Sequence, residues 1–380
     1  MARLKTDWVL FLTILAMTGF GIVMVYSASS AAARPFYHVE PYFFVLHQMI
    51  FAVISFFVLM YFKRLDYRLM NTSTWAFSPL GIVLASLIVV YFVDTKTHRW
   101  FRVPGVGSLQ PSEFAKPALV LFLAYFISRR AQSINSRKTI QQAFVAVAML
   151  AMLVVVADLG TAMVPVLTAV IVLWVAGLEW KYMLRVGLLG MLLMVIAVVW
   201  QGYRLGRVIA YLDPDYSKIE LIDTHHWIRN YVTRSTSIRD ASYQPRQSKI
   251  AVGTGGIFGV GLMQSRQKMM FLPEAHTDFI YATVGEELGL WGCSAVLIGF
   301  IAILWRGARL FLLARDDFGK YLALGVTVSI LLQALLNITV VLDMAPTKGF
   351  PLPMISFGGS SLLSTLGSLG MLLSVSEHEG

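Results

Sequence analysis

The 380-residue chain is 57% apolar or aromatic and 14% charged, against roughly 45–50% and about 25% in soluble proteins. That leaves too little polar surface for a soluble fold, and a mean hydropathy of +0.69 excludes a disordered polyelectrolyte. A formal net charge of +10 would suggest nucleic acid in a soluble protein, but most Lys and Arg residues flank apolar runs, where they set topology and meet anionic lipid, so no nucleic-acid partner is expected.

A helix needs about 20 apolar residues to cross the hydrocarbon core. Runs of suitable length fall at 8–26, 43–62, 76–93, 112–128, 141–157, 162–178, 183–202, 279–305, 319–342 and 356–375. They predict an all-α polytopic membrane protein of about ten transmembrane helices, read as a single domain over 1–380. The first run follows Arg3 and Lys5, and Ser27-Ala28-Ser29 resembles a cleavage site. It is longer than a signal-peptide core of about 7–15 residues, so it reads as a retained anchor. The fourth run opens on Glu113 and Lys116, and only Asp158-Leu159-Gly160 separates the fifth from the sixth. Residues 203–277 form one large polar loop between spans seven and eight. The eighth run carries Glu286-Glu287 and Cys293, whose standing as the one cysteine excludes an internal disulfide and a cysteine metal site.

Fifteen Lys and Arg residues flank one side of these spans and five fall in the short loops of the other. Both termini are therefore expected in the cytoplasm. The polar segments 94–116, 157–161, 203–278 and 343–360 then share the extracytoplasmic face, away from cytosolic ATP. No phosphate-binding P-loop and no inverted repeat is apparent.

Four constellations carry possible chemistry. Arg99-Trp100-Phe101-Arg102 precedes Gln110-Pro111-Ser112-Glu113 and Lys116. This is either an interfacial cap, with Ser112 as N-cap and a Glu113–Lys116 pair, or an anion-binding mouth in which Arg99, Arg102 and Lys116 meet a phosphate. Asp158 is either a helix cap or a functional carboxylate at membrane depth. The densest region combines Ser265, Gln267 and Lys268 with Phe271-Leu272-Pro273-Glu274-Ala275-His276-Thr277-Asp278. Asp278 could cap the eighth span, but a capping box wants Glu or Gln three residues on, and that residue is Tyr281. Flanked by Glu274 and His276, it could instead be a general base, or the three could hold a divalent cation. Lastly, Pro346-Thr347-Lys348-Gly349-Phe350-Pro351-Leu352-Pro353 is a rigid loop with Lys348 as a phosphate candidate, and Gly358-Gly359 suits close helix packing.

At these residues the chain closely resembles the SEDS family (shape, elongation, division and sporulation proteins) over nearly its whole length. The resemblance rests on Met24-Val25-Tyr26-Ser27-Ala28-Ser29, Gln110–Glu113, Asp158–Thr161, Phe271–Ile280, Gly285-Glu286-Glu287-Leu288-Gly289 and Ser356–Ser361. Ala275, and Lys348 within Pro346-Thr347-Lys348-Gly349, match the division branch. The resemblance implies a peptidoglycan glycosyltransferase that polymerises lipid II on the outer face of a bacterial cytoplasmic membrane. It also implies a class B penicillin-binding protein (a transpeptidase) and other divisome or elongasome membrane proteins as partners. Asp278 matches the proposed catalytic base. Arg99, Lys116 and Lys348 are expected to steady the diphosphate leaving group, helped by a divalent cation (Mg or Mn). Three departures stand out: Ala157 replaces a proline, Phe357 replaces a tyrosine, and 216–241 is an unusual stretch expected to meet a lineage-specific partner. A non-catalytic scaffold and a lipid II flippase are the alternatives. A flippase should spread its polar groups through the membrane depth, and their clustering on one face favours the enzyme.

Overall fold

A computed structural model describes residues 6–95, 97–103, 107–213, 223, 227, 231–232, 238–269 and 272–378. All ten predicted spans are helices: α1 (Trp8–Tyr37), α2 (Phe43–Arg64), α3 (Ser73–Val93), α4 (Pro111–Ser128), α5 (Arg137–Ala157), α6 (Leu159–Val175) and α7 (Trp180–Val199), then α10 (Ile280–Leu313), α11 (Asp317–Val341) and α12 (Gly359–His378). Between α7 and α10 lie α8 (Gly202–Leu212) and α9 (Ile238–Gly255), so the long polar segment is partly helical. Among the described residues eight helices are long and apolar enough to cross a membrane, and α6 is a shorter apolar one. The chain is an all-α, multi-pass membrane protein. Among the described residues the one small sheet is an antiparallel hairpin of β1 (Phe101–Val103) and β2 (Gly107–Leu109), which pairs Arg102 with Ser108. The 216–241 stretch falls outside the described residues, apart from Asp223, Trp227, Tyr231, Val232 and the start of α9.

Burial ranks the helices. α12 is buried along most of its length, whereas α7 buries no residue. The apolar phase inside a bilayer gives helices no hydrophobic reason to associate, so small residues that allow close approach matter most. In α12 these are Ser360, Ser364, Ser368, Gly370 and Ser374. A side chain on Gly370 would meet the backbone of Leu59 on α2. Ser364 Oγ donates to the Glu113 carbonyl of α4 (2.7 Å), and Ser374 Oγ to the Leu65 carbonyl after α2 (2.5 Å).

The expected cap of α4 is corrected. Pro111 takes the first helical position, where a missing N–H costs nothing, and Gln110 is the N-cap. Ser112 therefore lies inside the helix, accepting from Gln110 Nε2 at 2.9 Å. The eighth predicted span also differs from a plain helix. Gly289 interrupts α10 with φ 63° and ψ −154°, a conformation open to glycine. The carbonyls of Glu286 and Glu287 accept instead from Val260 N (2.9 Å) and Gly261 N (3.0 Å), and Leu290 N donates to Gly256 O (2.9 Å). Gly255 and Gly259 make this backbone-on-backbone approach possible, because a Cβ at either would collide with the α10 backbone.

Candidate active site

At one end of the bundle, the segments before β1, between α5 and α6, in α8, before α10 and before α12 enclose a cavity of about 700 Å³. Its charged walls are Arg99, Glu113, Asp158, Arg204, Arg207, Glu274, Asp278 and Lys348.

Asp158 holds one side together. Its Oδ1 accepts from Gly160 N (2.9 Å) and, more weakly, from Thr161 N (3.4 Å), so it does cap α6. The same carboxylate pairs with Lys348 and, at 3.3 Å, with Arg99. Asp158 is thus a helix cap and, at the same time, an ion-paired carboxylate on the cavity wall. Burial works to raise its pKa, but the Lys348 and Arg99 charges outweigh that and keep it below the usual carboxylate range. Arg99 also donates from Nε to the Ala157 carbonyl at 2.5 Å. Lys348 reaches Asp158 across Gly160, where any side chain would overlap it.

Asp278 stands on the facing wall. The capping alternative for Asp278 is ruled out: the N-cap of α10 is Phe279, and no side chain caps that helix. The Pro273-Glu274 turn, with Glu274 at φ 59°, instead leaves Asp278 facing the cavity. Asn337 of α11 fixes the backbone there, donating from Nδ2 to the Asp278 carbonyl (2.7 Å) and the Phe350 carbonyl (2.5 Å). Ser356 Oγ donates to the Thr277 carbonyl at 2.6 Å. Gly349 lies over the carboxylate, since a Cβ there would run into it. Burial, then the Glu274 and Asp158 charges, pushes the Asp278 pKa up to about 7, against the pull of Lys348 and Arg207. A carboxyl poised near neutrality in a cleft suits proton transfer.

Six of the expected site residues therefore meet: Arg99, Glu113, Asp158, Glu274, Asp278 and Lys348. The others lie elsewhere. Arg102 is exposed on β1, opposite Ser108 of β2, and does not line the cavity. Lys116 is buried on Glu113 (2.7 Å) and Gln333, as the three-residue spacing on α4 favours. Gln333 in turn donates to the Pro351 carbonyl at 2.8 Å. Ser265 and Lys268 sit in a separate buried cluster. Ser265 Oγ donates to Glu286 (2.5 Å), and Lys268 pairs with Glu287 (2.6 Å), which also accepts from Ser27 of α1 (2.6 Å). Glu286 and Glu287 thus anchor the 260–269 segment rather than face the cavity.

The proposed cation set does not gather. Among the described residues no three His, Cys, Asp or Glu side chains converge for a metal. His276 lies against the rings of Phe44 (4.5 Å) and Phe357 (5.7 Å).

Sequence reasoning missed α8, with Arg204 and Arg207, and the amides Gln333 and Asn337. Each had a visible signal. In α8 the two arginines at i, i+3 share a helix face, with Gly206, Ile209 and Ala210 buried. Gln333 and Asn337 are two polar groups four residues apart in an apolar span.

The family model described as "Cell cycle protein", which covers FtsW, RodA and SpoVE, matches residues 7–380. The probable peptidoglycan glycosyltransferase FtsW of Geobacter sulfurreducens is 35% identical over 98% of this chain and 96% of its own. Stage V sporulation protein E of Bacillus subtilis is also 35% identical, over 99% and 98%. Among solved structures, a chain from a peptidoglycan synthase complex, studied for its coordination of polymerisation and crosslinking, superposes with a TM-score of 0.75 at 25% identity over 99% of both chains. A family match across nearly the entire chain, with relatives matched end to end, shows that this protein belongs to the FtsW/RodA/SpoVE family of cell cycle proteins.

Proposed function

We propose that the protein is a peptidoglycan glycosyltransferase that polymerises lipid II on the outer face of the bacterial cytoplasmic membrane. The process is cell division, on the FtsW relatives and on Ala275 and Lys348. The observation that carries this reading is Asp278, a carboxyl that caps no helix, sits on the cavity wall and has a pKa of about 7. In the reaction, Asp278 accepts the proton of the acceptor sugar hydroxyl as that oxygen attacks the donor's anomeric carbon. The anomeric C–O bond to the diphosphate breaks, and undecaprenyl diphosphate leaves with the bonding pair. Asp158 is a positioning residue here, holding Arg99 and Lys348 against the cavity wall.

The Lys and Arg distribution supports cytoplasmic termini and a cavity on the outer face. A divalent cation, Mg or Mn, would arrive on the diphosphate, a mode that needs only one or two carboxylates from the protein. Among the described residues no three His, Cys, Asp or Glu side chains gather to hold it without the substrate. A class B penicillin-binding protein is the proposed crosslinking partner. The relative from a peptidoglycan synthase complex supports that pairing.

The test is lipid II polymerisation by the purified full-length chain with its cognate transpeptidase, beside a lipid II translocation assay in liposomes. Glycan strands without translocation are expected. Translocation without strands would identify a flippase, and neither activity would leave a scaffold.

A further inference from the structure

The cations of the cavity differ in what they already hold. Arg99 and Lys348 are both spent on Asp158, and Arg99 also on the Ala157 carbonyl. Arg204 points its guanidinium into the protein, donating to the carbonyls of Ala197 (3.2 Å) and Val155 (3.2 Å) and to Tyr203 Oη (3.1 Å). Lys116, expected from the sequence as a further cation, lies outside the cavity lining and is closed off by Glu113 and Gln333. Arg207 is the exception. It lines the cavity half-buried, stacks loosely by Tyr203 (5.9 Å), and makes a single long bond, 3.4 Å, to the Thr347 carbonyl. Among the described residues no carboxylate pairs with it. It is still close enough that its charge is felt at Asp278.

A half-buried guanidinium on the cavity wall with most of its donors unspent is open to an anion that would complete it. The fork geometry matches phosphate oxygens two at a time, which an ammonium cannot do. The fold also explains how Arg207 is aimed. Gly206, Ile209 and Ala210 of α8 are buried against the protein, and Tyr211 Oη donates to the Met344 carbonyl (3.0 Å). The helix is thus pinned to the segment that carries Lys348 and Gly349.

We propose that Arg207 is the residue that takes the anionic diphosphate group of the substrate, across the cavity from Asp278. Arg99 and Lys348 then have a different task, which is to hold the Asp158 wall. This assignment rests on the glycosyltransferase reading for the identity of the diphosphate, but the anion site itself can be tested without turnover.

The experiment compares wild type, Arg207→Gln and Arg207→Lys as purified full-length protein. It measures calorimetric binding of inorganic pyrophosphate and the KM for lipid II. Gln retains a donor for the Thr347 carbonyl, so a merely structural arginine would tolerate it. The assignment expects Arg207→Gln to weaken pyrophosphate binding and raise the lipid II KM by about tenfold or more. Arg207→Lys should recover part of both, and the three proteins should share one melting temperature. Wild-type affinity for pyrophosphate in Arg207→Gln, or no pyrophosphate binding by wild type, would overturn it. If wild type binds pyrophosphate through Arg207 but makes no strands, the anion site stands and the polymerase reading fails.

Discussion

Strand formation should fall about tenfold for each pH unit below 7, because a general base works only in its deprotonated form. Burial, and the like charges of Glu274 and Asp158, hold the proton on Asp278 up to about pH 7. The kcat/KM for lipid II should therefore rise through pH 7 and level off above it, following the free enzyme's base. Glu274→Gln supplies the internal control. It removes a like charge that raises the Asp278 pKa, so the midpoint must move to lower pH. It should stay above the ordinary carboxylate range, because burial remains the larger cause. A profile flat from pH 5 to 8, or one unmoved by Glu274→Gln, would remove Asp278 as the titrating base.

The second large effect is on stability. Lys268 and Glu287 are both almost completely buried and pair at 2.6 Å, and Ser27 completes the group from α1. Taking one partner from a buried ion pair leaves a charge with no compensation and costs about 3–5 kcal/mol. Lys268→Met should therefore lower the melting temperature of the detergent-solubilised protein sharply. The double variant Lys268→Met/Glu287→Gln should recover most of that loss, since replacing both members removes the stranded charge. A single variant that melts with wild type would show that the cluster does not anchor the 260–269 segment. Polymerisation by the refolded double variant should persist, since neither residue lines the cavity.

Hydropathy placed each of the eight helices that are long and apolar enough to cross a membrane, because the bilayer leaves few other solutions. It could not place helix ends. The first apolar run stops at residue 26, yet α1 continues to Tyr37, since hydropathy reports lipid contact and not backbone hydrogen bonding. The Gly289 break in α10 was hidden for a related reason, as it depends on Gly255 and Gly259 meeting it from another segment. The Glu113–Lys116 pair was legible from helical spacing, whereas Asp158 with Lys348 joins residues far apart in the chain. Motif proximity also misled. Lys268 and Asp278 lie ten residues apart in the sequence, yet the turn at Pro273-Glu274 sends one into a buried pair and the other into the cavity. Arg207 went unnoticed because α8 is short and sits in a segment whose charge was read only as loop composition.

The measurement that bears most directly on the account is the rate of glycan strand formation by Asp278→Asn against wild type, both as purified full-length protein with the cognate transpeptidase. Asn keeps the shape and cannot accept the proton, so the rate should drop by about 10²–10⁴-fold while the melting temperature and lipid II binding stay those of wild type. Strand formation at the wild-type rate in Asp278→Asn would contradict the assignment of Asp278 as the base and, with it, the chemistry proposed for the cavity.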